Sequence, residues 1–151
     1  MPYNGYRKIG DVMNDVKILE SRIFKADKKE LDNLFEYSSK LLALLDFNNR
    51  DIIMINTALE EVFVNVCSYA YDGSGTVEVS LSSDMQKVTF VFKDSGKPFN
   101  PLDREDPNIN ASSEEREIGG LGIFMVKKIM DHVFYEYKDG FNVLTLEKNR
   151  K

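Results

Sequence analysis

The sequence predicts an α/β fold: a two-layer sandwich in which helices cover one face of a mixed, mainly antiparallel sheet. Three observations lead there. Three segments repeat apolar residues at helical spacing, and TVEVSL alternates with a period of two before the strand-like run VTFVF. Turn signals such as DFNNR and DGSG separate these segments. At 151 residues and 17.3 kDa the chain suits one domain with a sizeable core.

In chain order, residues 1–14 read as a polar extension. VKILESRIF reads as a first strand anchored by Val16, Ile18 and Ile23. Asp27 can cap the following helix, and Glu30 stands three residues on, as a capping box requires. Leu31, Leu34, Phe35, Leu41, Leu42 and Leu45 form that helix's stripe. A second helix is expected from about Asp51 to Ala70, with Ile52, Ile55, Leu59, Val62, Phe63 and Val66 on its core side. TVEVSL and VTFVF are joined as a hairpin through SSDMQK. Lys93–Ile118 lacks periodicity and reads as a binding loop or lid. GLGIFMVKKIM opens a third helix. VFYEY and FNVLTLEK close the fold as a hairpin around Lys138–Gly140.

Composition narrows the function classes. A net charge of −5 argues against a broad nucleic-acid groove, so no direct nucleic-acid partner is expected. The single cysteine, Cys67, lies in an apolar stretch and reads as a buried thiol. No run of apolar residues has the length of a membrane span, and the N-terminus lacks a signal-peptide core. The expected compartment is the cytoplasm, with no membrane partner.

The chemistry concentrates in three places. Glu61 and Asn65 stand one helical turn apart and share a face, flanked by apolar neighbours. Asn65 can offer a neutral carbonyl oxygen to magnesium, and Glu61 can take a proton from a hydroxyl or water. Glu60 points about 100° away, which disfavours it as the base. Asp94 follows a strand and can accept an adenine amino hydrogen, while Gly96 lets backbone approach the base. Gly119, Gly120 and Gly122 open the third helix, whose free N–H groups suit phosphate oxygens. Lys127 and Lys128 read as surface charge. Neither GxxxxGK[ST] nor GxGxxG is present, so an ATP site here needs another architecture.

Taken in order, ALEEVFVNVCSYAY, FKDSGKPFNP and EIGGLGIFMVKKIMDHVFYE resemble the N-box and two glycine boxes of the ATP-binding superfamily of histidine kinases, gyrase and MutL. The resemblance extends over about residues 16–149 and is nearest to bacterial anti-sigma factors of the serine-protein kinase type. It implies a Bergerat-type fold over 15–151 that binds ATP and Mg2+. Glu61 then matches the general base, Asn65 the magnesium ligand and Asp94 the adenine-binding aspartate. Gly96, Gly119, Gly120 and Gly122 match nucleotide-loop glycines, and Thr145 resembles a polar position near adenine. Tyr69 departs from the pattern, standing where a basic residue or histidine is frequent. The implied activity is transfer of the ATP γ-phosphate to a serine of an anti-anti-sigma protein of STAS type. A sigma factor and a second copy of the chain are the further implied partners. The alternative is an ATP-controlled binding module with little transfer. A histidine kinase fits poorly, because His132 is the lone histidine and reads as a boundary residue.

Overall fold

The computed structural model of the chain describes residues 18–103 and 120–150. Strand β1 (Ile18–Lys25) leads through a short 3-10 turn (Lys28–Glu30) into helices α1 (Leu31–Leu44) and α2 (Asn49–Tyr69). Strands β2 (Thr76–Ser83) and β3 (Lys87–Asp94) follow, then a second 3-10 turn (Pro101–Asp103). Helix α3 (Gly120–Ile129) and strands β4 (His132–Lys138) and β5 (Phe141–Asn149) complete the order. The expected 1–14 extension and most of the Lys93–Ile118 loop lie outside the described residues.

The described strands form one five-stranded sheet in the order β1-β2-β3-β5-β4. Every neighbouring pair is antiparallel, where the sequence reading allowed a mixed sheet. Connectivity explains this. A single crossover helix returns a chain parallel to its start, whereas β1 reaches β2 through a helix pair. The other two neighbouring pairs in sequence are hairpins. Asp84 tightens the β2–β3 turn by accepting from the Gln86 and Lys87 amides at 2.7 and 2.9 Å. Asp139 and Gly140 both take positive φ, 55° and 85°, as a two-residue I′ turn between β4 and β5 requires.

The helices cover one face, and alternation along the strands shows which. Val77, Val79 and Leu81 of β2 and Val88, Phe90 and Phe92 of β3 are buried beneath them. In β1 the inward residue is Phe24, 1% exposed, and the predicted anchor Ile23 points outward at 67%. Two adjacent apolar residues left the phase of this strand ambiguous. The pairing of Phe24 with Val77 decides it. The Phe24 ring then meets Tyr37 and Phe63 edge-on at 5.9 and 6.2 Å. Val16 lies outside the described residues.

Local capping also differs from expectation. Asp27 caps the 3-10 turn rather than α1, accepting from the Lys29 amide at 3.0 Å. Glu30 does not complete a capping box; its carboxylate accepts from Asn33 Nδ2 at 2.7 Å. Helix α2 is capped by Asn48, which accepts from the Asp51 amide at 2.8 Å. Between the helices the Ser38 hydroxyl donates to Asn56 Oδ1, and Asn56 Nδ2 donates to Ser39 Oγ at 2.8 Å. With 21 residues and a mean hydropathy of 1.2, α2 reaches the length and composition of a membrane span, which the reading of apolar runs did not register. Its apolar side instead supplies Ile55, Leu59, Val62 and Phe63 to the core.

The β1 register is directly testable. Phe24→Ala should cost about 3–5 kcal/mol in urea unfolding, while Ile23→Ala should stay within about 0.5 kcal/mol of wild type. Equal costs would contradict the register.

Candidate functional site

A pocket opens between the α2 flank and the β3–β5–β4 end of the sheet. Val62, Asn65 and Val66 come from α2, Asp94 from the end of β3, and Asn142 and Leu144 from β5. Phe99 and Pro101 enter from the segment after β3. The lining is mostly apolar with a few convergent polar groups, the usual character of a small-molecule site.

Asp94 sits at its base, 94% buried by its 6% exposure. One oxygen, Oδ1, accepts from the Gly96 amide and from Asn142 Nδ2, both at 2.9 Å. Among the described residues no hydrogen bond is made to Oδ2, which leaves a buried acceptor for a ligand N–H. Gly96 has a clear steric reason. A Cβ there would run into the carbonyl of Ala70 at the end of α2. The same carbonyl accepts from the Lys97 amide at 2.8 Å, so residues 96–97 lie flat against the helix end. Tyr71 braces the adjoining loop, donating to the Thr76 carbonyl at 2.6 Å and accepting from the Ser95 amide at 3.1 Å.

Glu61 and Asn65 share a half-buried flank of α2, as their spacing requires. Asn65 lines the pocket, whereas Glu61 stands one turn away under the start of α3. A Cβ on Gly122 would collide with Glu61 Oε2. The Glu61 carboxylate therefore lies directly against α3 at Gly122, and a side chain there would have to displace it. Burial raises the pKa of Glu61 above the ordinary carboxylate value, and the neighbouring charge of Glu60 adds to the shift. Gly120 begins α3, and Gly119 lies outside the described residues.

The other assignments separate clearly. Thr145 alternates with the buried Leu144 and Leu146, so it belongs to the opposite face of the sheet, away from the pocket. The residue that sequence reasoning missed is Asn142, buried on the inward face and paired across the ladder with Asp94. Its signal was present: FNVLTL places an asparagine in phase with two core leucines. Tyr69, the departure from the family pattern, stacks on Phe99 with ring centroids 5.1 Å apart. Cys67 is half-buried, with burial first and Asp27 second pushing its thiol up to about 11. His132 is exposed at the start of β4 and stacks with Phe134, and Lys128 lies 5.3 Å from the centroid of the Phe124 ring.

The site fits an adenine nucleotide in its own terms: a buried acceptor unused among the described residues, an apolar slot and backbone brought close by glycine. Among the described residues there is no cluster of three or more histidine, cysteine or carboxylate ligands that would make a protein-only metal site. A magnesium ion would take oxygens from phosphate and water, with Asn65 as a single neutral ligand.

The fold and this pocket define a nucleotide-binding domain, and residues 24–148 match the family described as histidine kinase-like ATPase domain. The chain belongs to that family. Membership carries the capability to bind ATP with magnesium. Within it, the chain is 28% identical over 113 residues to the serine-protein kinase RsbW of Halalkalibacterium halodurans, covering 69% of this chain and 66% of that one. It is 25% identical over 89 residues to the serine/threonine-protein kinase BtrW of Bordetella bronchiseptica, covering 58% and 63%. The match thus spans somewhat less than two thirds of these relatives. A crystal structure of the RsbU and RsbW domains of a Mycobacterium tuberculosis protein superposes with a TM-score of 0.63. At 15% identity over 89% of this chain and 33% of that one, it shows the shared fold.

The environment of Glu61 has a thermodynamic consequence. A carboxyl whose folded pKa is raised contributes stability below its unfolded pKa and loses it as pH rises through the folded value. Glu61→Gln should therefore melt above wild type at pH 7–8, with the difference closing below about pH 4. A pH-independent difference would show that the carboxyl is not destabilised by burial.

Proposed function

We propose that the protein is a cytoplasmic ATP-dependent serine-protein kinase of anti-sigma type, which transfers the γ-phosphate to a serine on a STAS-type anti-anti-sigma partner. The observation that carries this reading is the Glu61 carboxyl, held beneath Gly122 one turn from the pocket-lining Asn65. A site that only binds nucleotide has no need of a base there. The similarity to RsbW and BtrW, both named as protein kinases, supports the same reading.

The division of labour follows from the helix. Asp94 and the apolar slot hold the base. Asn65 offers an oxygen where the phosphates and their magnesium would lie. Bound ATP supplies the phosphoryl group. Glu61 takes the proton of the attacking serine hydroxyl as that oxygen bonds to the γ-phosphorus and the bond to the departing ADP oxygen breaks. Its raised pKa improves it as an acceptor at neutral pH. Because Glu61 and Asn65 ride on one rigid, core-packed helix, their separation is set before any ligand arrives. A sigma factor and a second copy of this chain complete the proposed set of partners.

A second reading is an ATP-controlled binding module with little or no transfer. It is favoured by Phe99 and Pro101, through which the segment leaving β3 forms part of the pocket wall and can report occupancy.

The two readings separate on one variant pair. Glu61→Gln should reduce phosphotransfer at least about 100-fold while ATP affinity stays within about threefold of wild type. Asn65→Ala should weaken magnesium-dependent ATP binding itself, measured by calorimetry. Partner capture that depends on ATP but leaves the partner's mass unchanged would replace the kinase reading with the module.

A further inference from the structure

We infer that Asn142 is the positioning residue that sets base selectivity in this pocket, by holding the Asp94 carboxylate so that only one of its oxygens is offered to the ligand. The inference rests on the adenine-nucleotide reading above and adds a residue to it.

Asn142 is a poor choice for its position on general grounds. Asparagine is depleted in strands, and an amide buried without partners costs free energy. At 6% exposure, in phase with the inward-facing Leu144 and Leu146, an apolar residue would fill the space more cheaply. The structure instead uses the whole amide. Oδ1 accepts from the Phe99 amide at 3.0 Å and from the Tyr135 hydroxyl at 2.5 Å. Nδ2 donates to Asp94 Oδ1 at 2.9 Å and to the Lys97 carbonyl at 2.8 Å, with the Gly96 carbonyl at 3.5 Å. The Phe99 N–H can only donate, which fixes which end of the amide is oxygen.

The placement follows from the ladder. Asn142 stands directly opposite Asp94 in the β3–β5 pair. Tyr135 pairs with Leu144, so it is the diagonal neighbour of Asn142 across β4–β5. One amide thus joins three strands to the segment after β3.

The chemical effect falls on Asp94. With the Gly96 amide and Asn142 both directed at Oδ1, that oxygen is satisfied and the carboxylate cannot rotate without losing two bonds. The other oxygen then presents an acceptor to whatever enters. A purine with an amino group at position 6 donates to it. A purine with a carbonyl there sets acceptor against acceptor, in a site too dry to soften the mismatch.

The test is the affinity of the full chain for ATP and for inosine triphosphate, measured by calorimetry. Wild type should prefer ATP by about tenfold or more. Asn142→Ala should bring that ratio to within about threefold of one, mainly by weakening ATP. Asn142→Asp preserves size and the acceptor for Phe99 and Tyr135 but removes the donor to Asp94. It should lose the preference at pH 8, and it serves if the alanine variant does not fold. Asn142→Thr, whose hydroxyl can donate to Asp94 and accept from Phe99, should recover most of the ratio. Equal weakening of both nucleotides, or a ratio that survives in Asn142→Asp, would reduce Asn142 to a structural role. Wild type that binds both nucleotides equally would overturn the selectivity assignment alone. Wild type that binds neither would overturn the nucleotide reading and this inference with it.

Discussion

The rest of the structure depends on one helix being buried along one side. The apolar residues of α2 pack into the single core, and this pins the rotation of the helix about its own axis. Once that rotation is fixed, the opposite flank has no freedom. Glu61 must lie under α3, Asn65 must face the pocket, and the helix must end with the Ala70 carbonyl against Gly96. The geometry of the proposed site is a by-product of hydrophobic packing, since no flexible loop is asked to carry Glu61 or Asn65.

Much of this was legible because helical and strand periodicities are unambiguous over long segments. The i, i+4 relation of Glu61 and Asn65 could be read from spacing, since a helix allows it only one geometric meaning. The reading failed where periodicity alone does not set phase. Ile23 and Phe24 are adjacent apolar residues, and only the pairing of β1 with β2 shows which one enters the core. The mainly antiparallel sheet was legible from its hairpin signals, and only the antiparallel pairing of every described neighbour depended on connectivity. Thr145 was assigned by resemblance, and alternation along β5 moves it to the far face. Asn142 escaped notice because a buried asparagine is identified by its partners, and those lie 43 to 48 residues away in sequence or across a hairpin.

The site also joins two demands that pull apart. In the proposed role, Asp94 requires a pocket dry enough for one hydrogen bond to discriminate between bases. As the proposed base, Glu61 requires enough dryness to raise its pKa, yet enough access for a hydroxyl to reach it. The fold separates these environments along α2, with the enclosed one by β3 and β5 and the half-open one by the glycine start of α3. Gly96 is explained by close approach to the Ala70 backbone, and Gly122 sits against the movable end of Glu61; neither has a positive φ to accommodate.

The Asp139–Gly140 turn looks like the least consequential part of the molecule, exposed at the far end of the last hairpin. It nevertheless acts as the reading frame of the pocket. Asn142 lies two residues beyond it, and a strand slipped by one residue would turn that amide to the outer face and present Phe141 or Val143 inward. For anyone wishing to attach a label, graft an epitope or split the chain, this inviting surface loop is the wrong place to cut. The Asp84–Gln86 turn is the safer site, since no pocket-lining residue lies next to it in the sequence.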